Sequence, residues 1–579
     1  MCNQRMCDYY LPALVDAPNT TKEQLIDCVT TSWGWGRGVA IPPATVSLTP
    51  VLLVFAATIV ALPLFAMAGR VLAQFTAAVA RKYRIARALR HLPGPPSLPL
   101  IGNLHQLGQN MTRLHWFKAE MTQTYGPTYA TRVDILMDGS IVTSCPKNIE
   151  YILQTRSDNF VKPALLHDTC KEVMGQSIFA INPDSHLWAL QRKMMSSMFS
   201  VNSFRKYMRS VFREHTLQTV ADIHAAAAKG TTLNMELVLL TLTTNISFHI
   251  GFGRHVPAHM NSPHFHDLFR DASSITANRF TKPWYKWFGA VMPSEQRMKH
   301  VMAEIDGMFY DVIAARQAEA RRTTTTTDVT DATTMRSAAQ VDVLTQLVAR
   351  QSRGETAITD TFLRDMMMTV MLAGRETVAS GLLWVVYMIA RHPAVQAKVF
   401  AEVDAIDATD YDSVAGLSYL EAVMKESWRL FPPTALELKS AVHDDVLPDG
   451  TFVPAGVNVE FSPFVMGRDA SRWPRADEFL PERWLDPAFK MPTDYEYPVF
   501  NAGKRKCVGQ RIALLQIKYI LTMLYQRFNF DLTEPEKAPQ LTLGIALFAK
   551  DGIHVTPTLR QRPVAHDAAP TRARATSAA

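Results

Sequence analysis

Apolar residues recur at helical spacing along most of this chain, and this pattern predicts a mostly helical protein. From Asn148 onward helical patterns dominate, and Phe362 to Ala390 predicts one long, largely apolar helix. Two short runs, Tyr129 to Val133 and Ser140 to Ser144, predict β-strands. We therefore expect a mostly α fold with small β-sheets.

One apolar segment near the N-terminus has the length of a membrane span. Ser47 to Ala68 contains no charged residue and would extend about 33 Å as a helix, enough to cross the hydrocarbon core. More basic residues follow this segment (Arg70, Arg81, Lys82, Arg84, Arg87 and Arg90) than precede it (Arg5, Lys22 and Arg37). The pattern predicts a transmembrane anchor at 44–69, a lumenal leader at 1–43 and a cytosolic C-terminal bulk. The alternative is a buried core helix.

The remaining chain divides by composition. Residues 70–96 are expected to form a basic linker, amphipathic from Tyr83 to Leu92, that ends in the proline-rich hinge Pro93-Gly94-Pro95-Pro96. We expect the main domain at 97–557, with a flexible low-complexity loop at 321–340. Residues 558–579 have the composition of a disordered tail.

Composition narrows the class of protein. The 579 residues carry a net charge of +7, 47% are hydrophobic, and six are cysteines. Six cysteines in so long a chain do not indicate a disulfide framework. No basic-aromatic recognition motif accompanies the positive charge, so we expect a membrane surface and a redox partner rather than nucleic acid.

The most informative motif is Phe500-Asn-Ala-Gly503-Lys-Arg505-Lys-Cys507-Val-Gly509, directly before an apolar run. Nearby cations and a helix N-terminus favour a thiolate, which is the metal-binding form of cysteine. The glycines allow tight turns and the close approach of a flat cofactor. The pattern resembles the haem-binding signature of the cytochrome P-450 family. The resemblance implies that Cys507 is the axial ligand of haem b; the alternative is a buried free cysteine.

A second motif, Ala373-Gly374-Arg375-Glu376-Thr377, lies in the long predicted helix. It resembles the oxygen-activation motif of the same family. The resemblance implies that Gly374 leaves space for dioxygen and that Thr377 holds a hydrogen bond to oxygen or water. Glu376 would connect that water to solvent. The alternative is a kinked core helix with Glu376 on the surface.

Two further groups of residues follow the family pattern. Glu426 and Arg429 share a helix face, and the resemblance implies a buried structural network with Arg483. Trp188 and Arg192 stand four apart, and the resemblance makes them haem-propionate donors together with Arg505. Lys439 is a weaker propionate candidate.

The family resemblance implies a monooxygenase that takes electrons from NADPH through a cytochrome reductase, with cytochrome b5 as a further candidate donor. It also implies a single-pass protein of the endoplasmic reticulum. Three details resemble the fatty-acid and alkane ω-hydroxylase clans: Arg375, the stretch Asp444 to Gly450, and Met466-Gly467-Arg468. The expected reaction is fatty-acid hydroxylation near the chain end.

Several alternatives remain open. Glu376 stands where those clans usually have aspartate, and Val378 where they often have threonine. A sterol methyl-group oxidase is the second candidate. A haem-thiolate isomerase or dehydratase and a non-catalytic membrane protein are less favoured, because the Glu376–Thr377 pair and Cys507 are present. The apolar segments Phe160 to Phe179 and Leu541 to Leu547 are expected to face the substrate.

Basic residues around the cysteine loop predict the docking surface of the electron donor. Lys504, Lys506 and Arg511 surround the loop, and Lys193 lies on a helix expected nearby. We expect this surface to attract an acidic reductase.

Overall fold

The structure is a computed structural model, and the chain divides into two units, Met1–Ala78 and Val79–Ala579. It describes residues 67, 69, 70, 72–74, 76–98, 101–132, 139–182, 185–200, 202–257, 263–282, 285–325, 342–542 and 544–561. The predicted leader and all but a few residues of the predicted anchor lie outside the described residues. The described residues of the first unit are helical.

The second unit is mostly α-helical, as the apolar spacing predicts. Its helices are α1 Leu104–Gln109, α2 Leu114–Tyr125, α3 Pro146–Glu150, α4 Ala164–Met174, α5 His186–Ser200, α6 Asn202–Lys229, α7 Met235–Phe252, α8 Pro263–Thr281, α9 Tyr285–Phe288, α10 Pro293–Thr325, α11 Val343–Ser352, α12 Asp360–Arg391, α13 Pro393–Asp404, α14 Tyr411–Ala415, α15 Ser418–Leu430, α16 Pro463–Met466 and α17 Gln510–Tyr525. Short 3₁₀ turns cover Met111–Arg113, Pro481–Trp484, Pro498–Phe500 and Gly503–Arg505, and a π turn covers Tyr151–Thr155.

The strands of the second unit form small sheets. They are β1 Thr128–Thr131, β2 Ser140–Thr143, β3 Phe160–Val161, β4 Leu233–Asn234, β5 Glu437–Ala441, β6 Asp445–Val446, β7 Phe452–Val453, β8 Asn458–Phe461, β9 Phe528–Leu532 and β10 His554–Leu559. A five-stranded sheet has the order β1-β2-β8-β5-β3, in which only the β2–β8 pair is parallel. A three-stranded sheet has the order β4-β10-β9, and β6 pairs with β7. Both predicted strands are confirmed as β1 and β2.

The long predicted helix is confirmed as α12, which lies at the centre of the core. Its start is capped by Thr359, whose Oγ1 accepts the backbone N–H of Phe362 at 3.1 Å. It ends at Arg391, because the next residue precedes a proline. Within the part of the chain that the structure describes, α7 and α12 are long and apolar enough to cross a membrane, but most of each is buried inside the fold.

The structure differs from the predicted division of the chain in two places, the 321–340 loop and the end of the main domain. Helix α10 continues to Thr325, so the start of the predicted 321–340 loop is helical; residues 326–341 lie outside the described part. The predicted tail begins inside β10, which extends to Leu559. Arg560 then pairs with Asp404 at 2.7 Å, so the domain extends beyond 557.

The basic linker forms an amphipathic helix over its described residues 79–89. Its apolar face is covered by protein, because Ile85 and Leu89 are buried in the cluster that backs the five-stranded sheet. Arg84 lies on the exposed face and pairs with Asp444 at 3.2 Å. The basic face is available to lipid headgroups together with the exposed side chains of Val79 and Tyr83.

Candidate functional site

The cysteine loop is held in one conformation by its own backbone. The N–H of Cys507 donates to the carbonyl of Phe500 at 2.8 Å, which closes the loop. Gly503 has φ +56°, and a Cβ at this position would lie 2.5 Å from the carbonyl oxygen of Leu153. A side chain at Gly503 would therefore disrupt the contact between this loop and the π turn.

The sulfur of Cys507 lies at the start of α17. Cys507 has exposed surface, yet burial raises the pKa of its thiol, the combination expected for a side chain that lines an enclosed cavity. The backbone N–H groups of Gly509 and Gln510 and the charge of Arg192 act in the opposite direction and favour the thiolate. These donors suit a cysteine that serves as a metal ligand.

Two guanidinium groups flank Trp188 beside this loop. The Arg192 Nη2 donates to the carbonyl of Lys506 at 2.8 Å, and its Cζ lies 5.2 Å from the Trp188 ring centre. The Cζ of Arg505 lies 5.8 Å from the same ring. The structure thus brings together Trp188, Arg192 and Arg505, the three residues that the family resemblance assigns to haem propionates.

A further basic side chain at this position, Lys162, is missed by sequence reasoning. Burial is the main cause that lowers the pKa of Lys162 to about 6, with the charges of Arg505 and Lys439 acting in the same direction and that of Glu437 against them. Its Nζ donates to the carbonyls of Ile178 at 2.5 Å and Ile181 at 3.1 Å. The only sequence signal is a lysine near the start of the apolar segment from Phe160 to Phe179, which also contains Lys171.

Lys439 belongs to the same group of cations. Its Nζ donates to Glu437 at 2.8 Å, and the other oxygen of Glu437 accepts from the Asn501 side chain at 3.0 Å. One carboxylate is thus placed among the charges of Lys162, Lys439 and Arg505. A ligand with two carboxylates would complement this excess of positive charge, and the propionates of haem b meet that requirement.

One stripe of α12 is exposed in the middle of an otherwise buried helix. Ala373 is exposed and Gly374 and Thr377 are partly exposed, whereas their neighbours Leu372 and Val378 are buried. Exposed surface in the middle of a buried helix indicates that the stripe borders a space within the fold. Thr377 donates from its Oγ1 to the Ala373 carbonyl at 2.6 Å, so its hydroxyl lies on this face.

Gly374 has a packing role in addition to the predicted one. A Cβ at this position would lie 2.4 Å from the Oγ of Ser247 in α7. The absence of a side chain therefore lets α7 approach α12 closely. The missing side chain at Gly374 therefore allows helix packing, in addition to the space for a ligand that the family resemblance implies.

Glu376 lies on a different face of α12 from Thr377 and is buried. Its Oε1 accepts from Arg375 Nη1 at 3.0 Å and from Ser273 Oγ of α8 at 2.9 Å. Arg375 also donates from Nε to Thr244 at 3.0 Å. Across the described ranges, no hydrogen bond joins Glu376 to Thr377. The route from Thr377 to solvent through Glu376 therefore stays a hypothesis.

Glu426 and Arg429 are fully buried in α15, and the structure brings Arg483 to them. The Glu426 carboxylate accepts five hydrogen bonds, which come from Arg429 Nε and Nη2, Arg483 Nε, Trp484 Nε1 and the backbone N–H of Leu480, at 2.8–3.0 Å. Arg429 donates further to the carbonyls of Gly467, Ala476 and Glu478. The network is satisfied, as a buried charge cluster requires.

Trp428, between the two members of this network, connects the cysteine loop to α12. Its Nε1 donates to the carbonyl of Gly381 at 3.0 Å, one turn beyond Thr377. Its ring meets the Phe500 ring edge-on, with ring centres 5.8 Å apart. Helix α15 therefore positions the loop and the exposed stripe relative to one another.

The predicted docking residues are exposed to different degrees. Lys193, Lys504 and Arg511 are exposed. Lys506 is paired with Asp494 at 2.6 Å, and its side chain is 40% exposed. Lys193, Lys504 and Arg511 therefore contribute more exposed positive charge beside the loop than Lys506 does.

Comparison with known proteins agrees with the site. The family model for cytochrome P450 matches residues 92–555. Cytochrome P450 94B3 of Arabidopsis thaliana is 29% identical over 482 residues, which cover 78% of this chain and 90% of the relative. Cytochrome P450 704B1 of the same plant is 28% identical over 516 residues, or 81% of this chain and 96% of the relative. Cytochrome P450 94C1, also from Arabidopsis thaliana, is 30% identical over 443 residues, or 73% and 84%.

Proposed function

This chain belongs to the cytochrome P450 family, and on that premise we propose that it is a membrane-bound monooxygenase that hydroxylates a fatty acid near the chain end. The family membership makes it an oxidoreductase that uses haem b and electrons from NADPH through a reductase. The observation that carries the proposal is the presence of two features in one site: the Cys507 thiol, which backbone N–H groups favour as a thiolate, and the exposed stripe of α12.

Each part of the site has a distinct task when haem is bound. Haem supplies the reductive activation of dioxygen, which a thiolate ligand favours. Cys507 provides that thiolate, which Arg192 and the N–H groups at the start of α17 stabilise. Arg192, Arg505 and Lys162 hold carboxylates and orient the cofactor.

Thr377 is the polar group that the exposed stripe offers to the reaction. Its hydroxyl donates to the Ala373 carbonyl and can turn to hold a water molecule in the cavity. Such a hydroxyl passes a proton without being charged itself. Glu376 is held by Arg375 and Ser273 and would need to exchange one of these partners for water to take part.

An apolar segment beside the stripe supports a lipid substrate. The Leu547 carbonyl accepts from Ser380 Oγ at 2.6 Å and from Trp384 Nε1 at 2.8 Å, both on α12. Ser380 follows Thr377 by three residues, so the segment Leu541 to Leu547 is fastened to the helix next to the stripe. Leu541, Ala546 and Leu547 are buried, so the partly exposed Ile545 is the apolar side chain that the described part of this segment offers to a lipid chain.

The direct test is incubation of the protein with reductase, NADPH and a panel of lipids, with products identified by mass spectrometry. The panel contains saturated fatty acids of graded length, matched alkanes and sterols. A product hydroxylated at or near the fatty-acid terminus supports the proposal. Products only from sterols, oxidised at a methyl group, would move the assignment to the second candidate. The Cys507→Ala variant is the control without the thiolate.

We also propose that residues 44–69 anchor the protein in the endoplasmic reticulum, with the catalytic domain in the cytosol. The charge asymmetry around this segment and the exposed basic face at 79–89 support this topology. Protease added to intact microsomes should digest the catalytic domain and spare the leader. Protection of the catalytic domain would contradict the topology.

A further inference from the structure

Three histidines from separate parts of the chain converge on the surface of the second unit. His215 belongs to α6, His249 to the last turn of α7, and His255 follows the end of α7. Each offers a ring nitrogen, and these nitrogen atoms all lie within 4.8 Å of one another. None of these residues belongs to the haem site described above.

The distances within the cluster are close to those of a metal centre. His215 Nε2 and His249 Nδ1 are 3.0 Å apart. Tetrahedral zinc with bonds of 2.0–2.1 Å separates its ligand atoms by about 3.3 Å. The His249 and His255 ring centres are 4.8 Å apart, and the half-exposed His255 side chain is free to adjust.

A carboxylate lies beside two of the three histidines. Glu214, next to His215 in α6, places Oε1 at 3.1 Å from His255 Nε2 and Oε2 at 3.9 Å from His249 Nδ1. Three imidazoles and one carboxylate are ligands that zinc-class cations take in proteins. The partial negative charge at the C-terminus of α7 also favours a cation here.

The backbone around the cluster is fixed by other contacts. The His249 carbonyl accepts from Tyr207 Oη at 2.8 Å and from the Gly253 N–H at 2.8 Å. Arg316 Nη2 donates to the carbonyl of Phe252 at 2.7 Å. The turn at Gly253, with φ +69°, directs the chain so that His255 returns to His215 and His249. The site is therefore held by the fold in advance of binding.

We propose that His215, His249 and His255 bind one divalent cation of the zinc class, with Glu214 as the fourth donor. The cation joins α6, the end of α7 and the segment that leads toward α8. Helix α8 carries Ser273, which holds Glu376 beside the α12 stripe.

The test uses the full-length, haem-loaded protein after treatment with a chelator. Equilibrium dialysis against buffered Zn²⁺, followed by elemental analysis, gives zinc bound per haem iron. The variant is His255→Ala, which removes a side chain that is 66% exposed. The control is His224→Ala, an exposed histidine on the same helix as His215. An unchanged haem spectrum establishes that each variant is folded.

The wild type should bind about one zinc per haem at 10 μM free Zn²⁺, and His255→Ala should lower the affinity at least tenfold. His224→Ala should bind as the wild type does. X-ray absorption at the zinc edge should show nitrogen and oxygen neighbours. Any of four results would overturn the proposal and leave a hydrogen-bonded histidine cluster. They are less than half a zinc per haem in the wild type, a loss of zinc affinity below tenfold in His255→Ala, an equal loss of affinity in His224→Ala, and a sulfur neighbour of zinc.

Discussion

Glu426→Gln tests whether the buried network of Glu426, Arg429 and Arg483 stabilises the fold. The substitution keeps the shape of the side chain but removes its charge. It also replaces one acceptor oxygen by an amide that donates. Both oxygens of Glu426 accept from Arg429, so the glutamine NH2 group would face an arginine donor whichever oxygen it replaced. Arg429, with none of its side chain exposed, would then lack a counter-charge at this position.

The expected loss follows from the burial of this network. Removing one partner of a fully buried ion pair costs about 3–5 kcal/mol. A domain of about 480 residues has an unfolding entropy of about 1 kcal/mol per kelvin at its melting temperature. The variant should therefore lose its fold about 3–5 °C below the wild type.

The assay is the loss of the absorption band of the reduced, carbon-monoxide-bound protein during heating, because Cys507 must stay in place for that band. Glu482→Gln is the matched control. Glu482 lies beside Arg483 but is half-exposed, and it pairs with Lys398, whose side chain is 56% exposed. An exposed pair of this kind contributes about 0–1 kcal/mol, so the control should shift by about 1 °C or less.

Equal melting of Glu426→Gln and the control would refute the assignment of a stabilising role to this buried network. The double variant Glu426→Leu with Arg429→Met provides a second check. It leaves Arg483, whose side chain is 7% exposed, and the N–H groups of Trp484 and Leu480 without their acceptor, so its loss should be at least as large as that of Glu426→Gln. A smaller loss in the double variant would mean that the remaining donors find other partners and that the charge pair itself contributes little.

Four further outcomes follow from the site. Cys507→Ala should abolish the thiolate band of the reduced, carbon-monoxide-bound protein, and persistence of the band would remove Cys507 as the ligand. Thr377→Ala should consume NADPH at a similar rate but release more peroxide and less product, whereas unchanged coupling with weaker substrate binding would limit Thr377 to pocket shape. Haem transfer to an acceptor protein should become faster as pH rises above 6, because Lys162, with a pKa of about 6 before haem binds, must take up a proton to pair with a propionate. Lys162→Met should lose that pH dependence. Lys162→Arg should bind haem with no such pH dependence. Lys193→Glu with Lys504→Glu should slow haem reduction by the reductase at low salt, with a deficit that shrinks as salt screens the charges over a Debye length of about 8 Å, and an unchanged salt response would place docking elsewhere.

The parts of the fold that sequence predicted are those set by local pattern. Helix α12 followed from apolar spacing, and the cysteine loop followed from residues that stand close together in the chain. The pairing of Glu426 with Arg429 was also local, whereas the approach of Arg483 came from the family resemblance. The end of β10 was missed because Thr558 to Arg560 is polar; its pairing partner, β9, lies earlier in the chain.

The parts that sequence could not predict depend on contacts between distant segments. Lys162 gives no local sign that it meets Arg505 and Lys439, because those residues lie far along the chain. The face of Glu376 could have been anticipated: successive residues of an α-helix are rotated by about 100°, so Glu376 and Thr377 cannot share a face. Its partner Arg375 is the preceding residue, but its partner Ser273 could not have been anticipated, because Ser273 comes from another helix.

The contact between Gly374 and Ser247 has a consequence for how this enzyme diverges from its relatives. A methyl group at position 374 would overlap the Ser247 oxygen at 2.4 Å, so the contour of the cavity is coupled to a residue on the far side of α12. A residue larger than glycine at position 374 therefore requires Ser247 to change its rotamer or to be replaced, and Ser247→Gly removes the overlapping atom. The space at this point of the exposed stripe thus depends partly on a residue of α7.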